Sequence, residues 1–213
     1  MLFLLDANIL ITAANTYYGI SRVPEFWSWL QHHGASGHIK IPIEMCEEVL
    51  EGRKEDDELL DWVKNDSNRN SLVFDEASKP DLVQRVVKEG YANDLTDDEV
   101  EKLGRDPFLI AYGLVDVNRC ITTTEVSKPS RQRHNRHIPD VFVIEAELLR
   151  TVGSQSTPWV QDRVEAVAVS AGAFPHRVFP SVVETCVAGC PALRGFRRVG
   201  LARDSSSVFH NPM

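Results

Sequence analysis

Short apolar runs alternate with helix-like segments along the first 125 residues, and this alternation limits the folds open to the chain. The strand-like runs, each bounded by polar or turn residues, are LFLL (2–5), HIKIP (38–42), SLVF (71–74) and CITTT (120–124). Amphipathic segments lie between them. Strands that alternate with helices predict an α/β protein, a three-layer α/β/α sandwich with a mostly parallel central sheet.

Helix start signals support this reading. Pro24 opens PEFWSWLQHH and suits a first helical turn. Thr96 and Glu99 have the spacing of a capping box. Asp106 is followed by Pro107, which predicts a helix with the aspartate at its cap. The apolar residues that follow these signals are therefore predicted to lie in helices.

Composition divides the chain into a domain over residues 1–153 and a C-terminal extension of uncertain order over residues 154–213. The last lysine is Lys128, and neither helical nor alternating periodicity is sustained after residue 153. The net charge of −8 does not favour non-specific attraction to nucleic acid. No apolar run approaches the roughly 20 residues needed to cross a bilayer. We predict a cytoplasmic protein without a membrane segment.

Carboxylates stand where the predicted strands end. Asp6 follows the first strand directly, and Glu125 follows CITTT. Asp106 begins the helix that leads into that second strand, and Glu47 or Glu48 could lean inward from the helix after HIKIP. Parallel α/β sheets gather ligands at the carboxyl ends of their strands. These acids are therefore expected to share one crevice.

Converging carboxylates repel one another unless a cation lies between them. Hard divalent ions such as Mg²⁺ and Mn²⁺ prefer oxygen ligands, and such a site suits phosphodiester cleavage. Simpler roles compete: Asp6 and Asp106 can each cap a helix, and Glu48 lies in an acidic segment where a solvated face is common. For Asp106, a capping role and a metal role are compatible.

Several motifs together resemble a PIN domain. LLDANILI resembles its opening strand and helix start, DPFLIAYGL its third acidic signature and CITTTE the strand with the fourth acid. YYGISRVPEFWSWL and EVSKPSRQRHNRHIPDV resemble one prokaryotic, toxin-like PIN subfamily. The resemblance spans about residues 1–153. The glutamate at position 125 departs from the aspartate that is commoner there.

The resemblance implies a metal-dependent endoribonuclease, the toxin of a toxin–antitoxin pair, which cleaves RNA by metal-activated water. The implied catalytic and Mg²⁺- or Mn²⁺-binding residues are Asp6, Glu48, Asp106 and Glu125, with Asp140 of the IPDV step as a reserve metal ligand. Glu48 is chosen over Glu47 because an aliphatic residue, Val49, follows it. Asn8 and Thr123 would support these ligands through hydrogen bonds. An antitoxin protein and a homodimer are the implied partners besides RNA.

A basic segment, residues 128–137, follows the fourth acid. Its candidate RNA-phosphate contacts are Lys128, Arg131, Arg133 and Arg136. The segment could equally dock an acidic antitoxin segment or be a solvated loop. His134 and His137 leave open a metal-free acid–base cleavage of RNA.

Two other functional classes compete with the nuclease. The first is a catalytically inactive PIN-like scaffold that acts as an RNA- or protein-binding module. The second is a receiver-like or phosphatase α/β domain, which would need paired acids at the first strand or an Asp-x-Asp nucleophile. The sequence DAN at positions 6–8 supplies neither.

Overall fold

The computed structural model describes residues 1–51, 57–153 and 183–186. The predicted C-terminal extension, residues 154–213, lies outside the described residues except for one short strand. The strands are β1 (Leu2–Leu5), β2 (Ile39–Lys40), β3 (Arg119–Thr123) and β4 (Val183–Cys186). The helices are α1 (Ala7–Thr12), α2 (Pro24–Ala35), α3 (Ile43–Glu51), α4 (Glu58–Lys64), α5 (Asp66–Leu72), α6 (Pro80–Arg85), α7 (Asp97–Leu103), α8 (Asp106–Leu114) and α9 (Ile138–Gly153). Two π-helical turns, Ala13–Tyr17 and Val86–Tyr91, continue α1 and α6, and Arg133–Asn135 form a 3₁₀ turn.

The sheet has the strand order β2-β1-β3-β4, with β1 inside it. β1 runs parallel to β2, with Phe3 opposite Ile39, and parallel to β3, with Leu5 opposite Thr122. β4 runs antiparallel to β3. The predicted α/β class with a mostly parallel sheet is confirmed, while the three-layer arrangement stays a prediction. β2 and β3 lie on opposite sides of β1, so the chain connections diverge where β1 and β3 are neighbours. In parallel α/β sheets such a point forms a crevice at the carboxyl ends of the two strands, here β1 and β3.

Two of the predicted helix starts agree with the structure and one differs. Pro24 is the first residue of α2, and the Thr96–Glu99 capping box is formed at α7. Asp106 is the first residue of α8 and not its cap, because Arg105 occupies the cap position without a side-chain cap bond. The Asp106 carboxylate therefore has no capping role.

The strand predicted at SLVF is wrong. The Asn65 side chain accepts hydrogen bonds from the backbone N–H groups of Ser67 (3.0 Å) and Asn68 (3.3 Å), which starts α5. The chain remains helical to Leu72, and only Val73 pairs with the sheet, as an isolated parallel bridge to Ile41. A local cap thus prevailed over the β propensity of the apolar residues that follow it.

Helix α8 fixes the site because nearly all of it is buried. Seven of its nine residues, Pro107 and Leu109–Leu114, are buried. A helix that is apolar on all sides belongs inside a protein, and α8 packs against β1, β3, α3 and α9. Its first residue, Asp106, is consequently held in place at the sheet. Within the described ranges, no helix combines the length and the apolar character required to cross a membrane.

Candidate active site

Asp6 lies at the carboxyl end of β1, and its side chain is 1% exposed. Its backbone N–H donates to the carbonyl oxygen of Thr122 (2.9 Å), so the parallel register fixes the residue beside β3. Its carboxylate accepts hydrogen bonds from the Thr123 hydroxyl (2.6 Å) and from the backbone and side-chain N–H groups of Asn8 (3.4 Å each). Asp6 therefore caps α1. Thr123 and Asn8, the predicted supporting residues, hold its carboxylate in place through these hydrogen bonds.

Burial raises the pKa of Asp6 above its ordinary value, although the hydrogen bonds from Thr123 and Asn8 lower it. The negative charge of Glu125 raises the pKa further. Hydrogen bonds from Thr123 and Asn8 thus hold the Asp6 carboxylate, while burial and the charge of Glu125 oppose its ionisation.

Asp106 experiences the charges of all three other predicted catalytic carboxylates. Burial raises its pKa well above the ordinary value, and the charges of Asp6, Glu125 and Glu48 raise it further, in that order. Each of these causes opposes ionisation. Asp106 consequently lies within the electrostatic reach of Asp6, Glu125 and Glu48, in a place that disfavours negative charge.

Glu47 and Glu48 are adjacent on α3 but face different surroundings. Glu47 is exposed, and its Oε2 accepts a hydrogen bond from Arg105 at 3.3 Å. Glu48 is half-buried, and its pKa is raised by burial and by the charge of Asp6, while Arg105 lowers it. Of the two neighbours, Glu48 is the one that the structure brings to Asp6.

Glu125 lies two residues beyond β3. Its backbone N–H donates to the Thr123 hydroxyl (3.1 Å), the same hydroxyl that donates to Asp6. Its Oε2 accepts a hydrogen bond from the N–H of Ile138 (2.8 Å), the first residue of α9. Glu125 thus acts on Asp6 and Asp106 through its charge while it also stabilises the start of a helix.

We call Asp6, Glu48, Asp106 and Glu125 the acidic cluster. Its oxygen-only donor set fits a hard divalent cation such as Mg²⁺ or Mn²⁺. The charges of its other three members act on Asp106, whose ionised form the protein does not stabilise. Over residues 1–51, 57–153 and 183–186, no three His, Cys, Asp or Glu side chains are arranged to hold one ion together. Asp6 and Glu125 are instead turned toward protein donors.

Asp140, the reserve metal ligand, has a different environment. Its carboxylate accepts hydrogen bonds from the Ser127 hydroxyl and from the backbone N–H of Lys128 (2.7 Å). It is not among the charges that raise the pKa of Asp6 or Asp106. Asp140 thus fixes the start of the basic segment to α9.

The basic segment divides into two parts. Arg133 forms ion pairs with Asp94 (2.7 Å) and Glu99 (2.7 Å), and Arg136 donates to the carbonyl oxygen of Gly90. Lys128 and Arg131 are exposed. Two of the four predicted RNA contacts are therefore used to hold the segment against the domain, and two point into solvent.

Tyr91 is a site residue that sequence reasoning missed. It is 3% exposed, and within the described part of the chain its hydroxyl has no hydrogen-bond partner. Burial raises its pKa well above the ordinary value, and the charges of Asp106, Glu125 and Asp6 raise it further. No motif or spacing in the sequence singles out this tyrosine, which ends a helical pattern.

We expect Thr123→Val to lower the free energy of unfolding by about 1–3 kcal/mol, because the change removes the hydroxyl's hydrogen bond to the buried Asp6 carboxylate and its hydrogen bond from the Glu125 N–H. The Thr123 hydroxyl donates to Asp6 and accepts from the N–H of Glu125. Urea denaturation measures the effect. Thr123→Ser is the matched control, since it keeps the hydroxyl and should lose much less. Unchanged stability in Thr123→Val would contradict a stabilising role of the hydroxyl.

The sequence model of one protein family, described as Domain of unknown function (DUF4411), matches residues 3–151 of the chain. The matched region contains the whole acidic cluster, Tyr91 and the basic segment. No curated protein and no solved structure matches the chain.

Proposed function

The chain belongs to DUF4411, a family of unknown function, and we propose that it is a PIN-like, metal-dependent endoribonuclease, the toxin of a toxin–antitoxin pair. The observation that carries the proposal is the environment of Asp106, a half-buried carboxylate on which the charges of Asp6, Glu125 and Glu48 act. Four acids from separate parts of a chain destabilise a fold when they meet, and a divalent cation reverses that effect. Their convergence therefore supports a metal site.

The acidic cluster would hold Mg²⁺ or Mn²⁺, which when bound polarises a phosphodiester and activates the attacking water. The residues of the chain orient the ligands. Thr123 and Asn8 hold the Asp6 carboxylate through hydrogen bonds. Arg105, next to Asp106, binds Glu47 and Glu51 of α3 and so keeps Glu48 near the crevice.

RNA is the proposed substrate because exposed cations stand beside an acidic site. Lys128 and Arg131 are exposed on the segment that follows Glu125, where they are available to contact RNA phosphates. The same two cations suit an acidic segment of an antitoxin, which would compete with RNA. We place this activity in the cytoplasm, and a homodimer is part of the proposal.

The neighbouring glutamates of α3 provide a matched test. We expect Glu48→Gln to reduce cleavage of a labelled single-stranded RNA with Mg²⁺ or Mn²⁺ by about 100-fold or more, as removal of a preorganised charge does in other sites. Glu47→Gln should stay within a few-fold of the wild type, because Glu47 is exposed and pairs with Arg105. Initial rates at equal enzyme concentration measure both. Equal rates for all three proteins would refute the assignment of Glu48.

A second candidate is an inactive PIN-like scaffold that binds RNA or protein. It is favoured by the lack, within the described ranges, of three side chains arranged to hold an ion together. Thermal melts with and without Mn²⁺, run beside the cleavage assay, distinguish the two candidates. Cleavage together with stabilisation by Mn²⁺ supports the nuclease, and a protein that does not cleave RNA, with or without stabilisation by Mn²⁺, supports the scaffold.

A further inference from the structure

The position of Tyr91 is fixed by its neighbours. It is the last residue of the π-helical turn Val86–Tyr91, which the Ala92 N–H closes by donating to the carbonyl oxygen of Val87 (3.1 Å). Gly90 lies directly on α9, since a Cβ there would come within 2.6 Å of Val141 Cγ1. π-helical turns often occur at functional sites. The backbone that carries the phenol is therefore held tightly.

The hydroxyl of Tyr91 is buried and, within the described part of the chain, has no hydrogen-bond partner. The π-helical turn that carries Tyr91 packs against α8, whose first residue is Asp106, and against α9, whose first N–H donates to Glu125. The charges of Asp106, Glu125 and Asp6 act on the phenol, yet within the described part of the chain its hydroxyl bonds to none of these carboxylates. Buried hydroxyl groups are almost always hydrogen-bonded, and exceptions call for an explanation. A bound ligand that carries a hydrogen-bond acceptor would satisfy the hydroxyl and explain this exception.

We propose that the Tyr91 hydroxyl donates a hydrogen bond to a non-bridging oxygen of the phosphodiester that the acidic cluster binds. The inference rests on the proposed function and names a substrate contact within it. A phosphodiester brings anionic oxygens, which accept hydrogen bonds strongly. The carboxylates cannot donate to those oxygens when ionised, so a neutral donor among them has a distinct role.

Two Tyr→Phe variants test the proposal. Tyr91→Phe removes only the unpartnered hydroxyl, so the melting temperature of the metal-free protein should stay the same or rise. The matched control is Tyr112→Phe. Tyr112 is 2% exposed, and its hydroxyl contacts the carbonyl oxygen of Glu76 (3.0 Å) and Glu44 Oε1 (3.4 Å), so its loss should lower the melting temperature.

The effects on the cleavage rate should be the reverse of the effects on the melting temperature. We expect Tyr91→Phe to lower kcat by about 10- to 100-fold with little change in KM, and Tyr112→Phe to cleave like the wild type below its melting temperature. RNA with sulfur in place of one non-bridging oxygen, as separated diastereomers assayed with Mn²⁺, reports the contact itself. Sulfur accepts hydrogen bonds poorly, so one diastereomer should be cleaved slowly by the wild type and show a much smaller sulfur effect in Tyr91→Phe.

The outcomes separate this inference from the proposed function. Wild-type cleavage with unchanged kcat or unchanged sulfur effects in Tyr91→Phe overturns the tyrosine contact alone. A loss of Mn²⁺-induced thermal stabilisation in Tyr91→Phe that matches its loss of cleavage also overturns the contact, in favour of a role in the metal site. A wild type that neither cleaves RNA nor gains stability with Mn²⁺ overturns the proposed function and the inference together.

Discussion

Asp106→Asn is expected to reduce RNA cleavage by about 10²- to 10³-fold and to raise the melting temperature of the metal-free protein. The two effects have one cause. Burial and the charges of Asp6, Glu125 and Glu48 all disfavour an ionised Asp106, so a neutral amide of the same shape relieves repulsion in the folded state. The same amide cannot supply the charge that a divalent cation requires.

Two other variants sharpen the result. Glu101→Gln on α7 removes an exposed carboxylate and should change neither cleavage nor stability appreciably. Asp6→Asn should lose cleavage without a comparable gain in stability, because Asp6 accepts hydrogen bonds from Thr123 and Asn8 that an amide can only partly replace. Wild-type cleavage by Asp106→Asn, measured alongside a melting curve, would end the proposal for the acidic cluster.

The second large effect is a pH-dependent stabilisation by Mn²⁺. The pKa values of Asp6, Glu48 and Asp106 are higher in the folded chain than their ordinary values, so folding favours the protonated forms. Between the ordinary and the raised pKa the folded state binds more protons than the unfolded state. Without metal, the contribution of these three groups to the free energy of unfolding should therefore be fully present below their ordinary pKa values and be lost as the pH rises through their raised pKa values.

Mn²⁺ should reverse this loss, because it binds only the deprotonated carboxylates. At 100 times its dissociation constant, a ligand of the native state adds about 2.7 kcal/mol, so the melting temperature at pH 8 should rise by several degrees and at pH 4 hardly at all. Thermal melts at both pH values with Mn²⁺ or EDTA measure the difference. A Mn²⁺ effect that is equal at both pH values would contradict binding by the acidic cluster.

Part of the pH dependence has another source. Burial raises the pKa of Glu145 to about 7, although the nearby Arg85 lowers it. Glu145 is fully buried on α9 and lies 3.3 Å from Arg85 Nε. The stabilisation that protonated Glu145 contributes should be lost as the pH rises from about 4 to about 7. This loss should also occur in the presence of Mn²⁺, which distinguishes it from the pH dependence of the acidic cluster.

The sequence predicted those elements whose causes are local. The run LFLL formed β1, Pro24 started α2, and Thr96 with Glu99 capped α7. The strand predicted at SLVF failed because the Asn65 cap, a few residues earlier, kept the chain helical through Leu72. Where two local signals compete over a short run, pattern alone does not decide between them.

By itself, the sequence determined the α/β class and the position of an acid after β1 and after β3, because strand periodicity and chain order fix both. The resemblance already favoured Glu48 over Glu47, while only the tertiary structure assigned Arg133 and Arg136 to contacts within the domain and showed that Tyr91 lies within reach of the charges of the acidic cluster. The physical reason is distance along the chain. The Thr123–Asp6 hydrogen bond joins residues 117 positions apart, and such contacts depend on the register of parallel strands and the packing of α8 and α9.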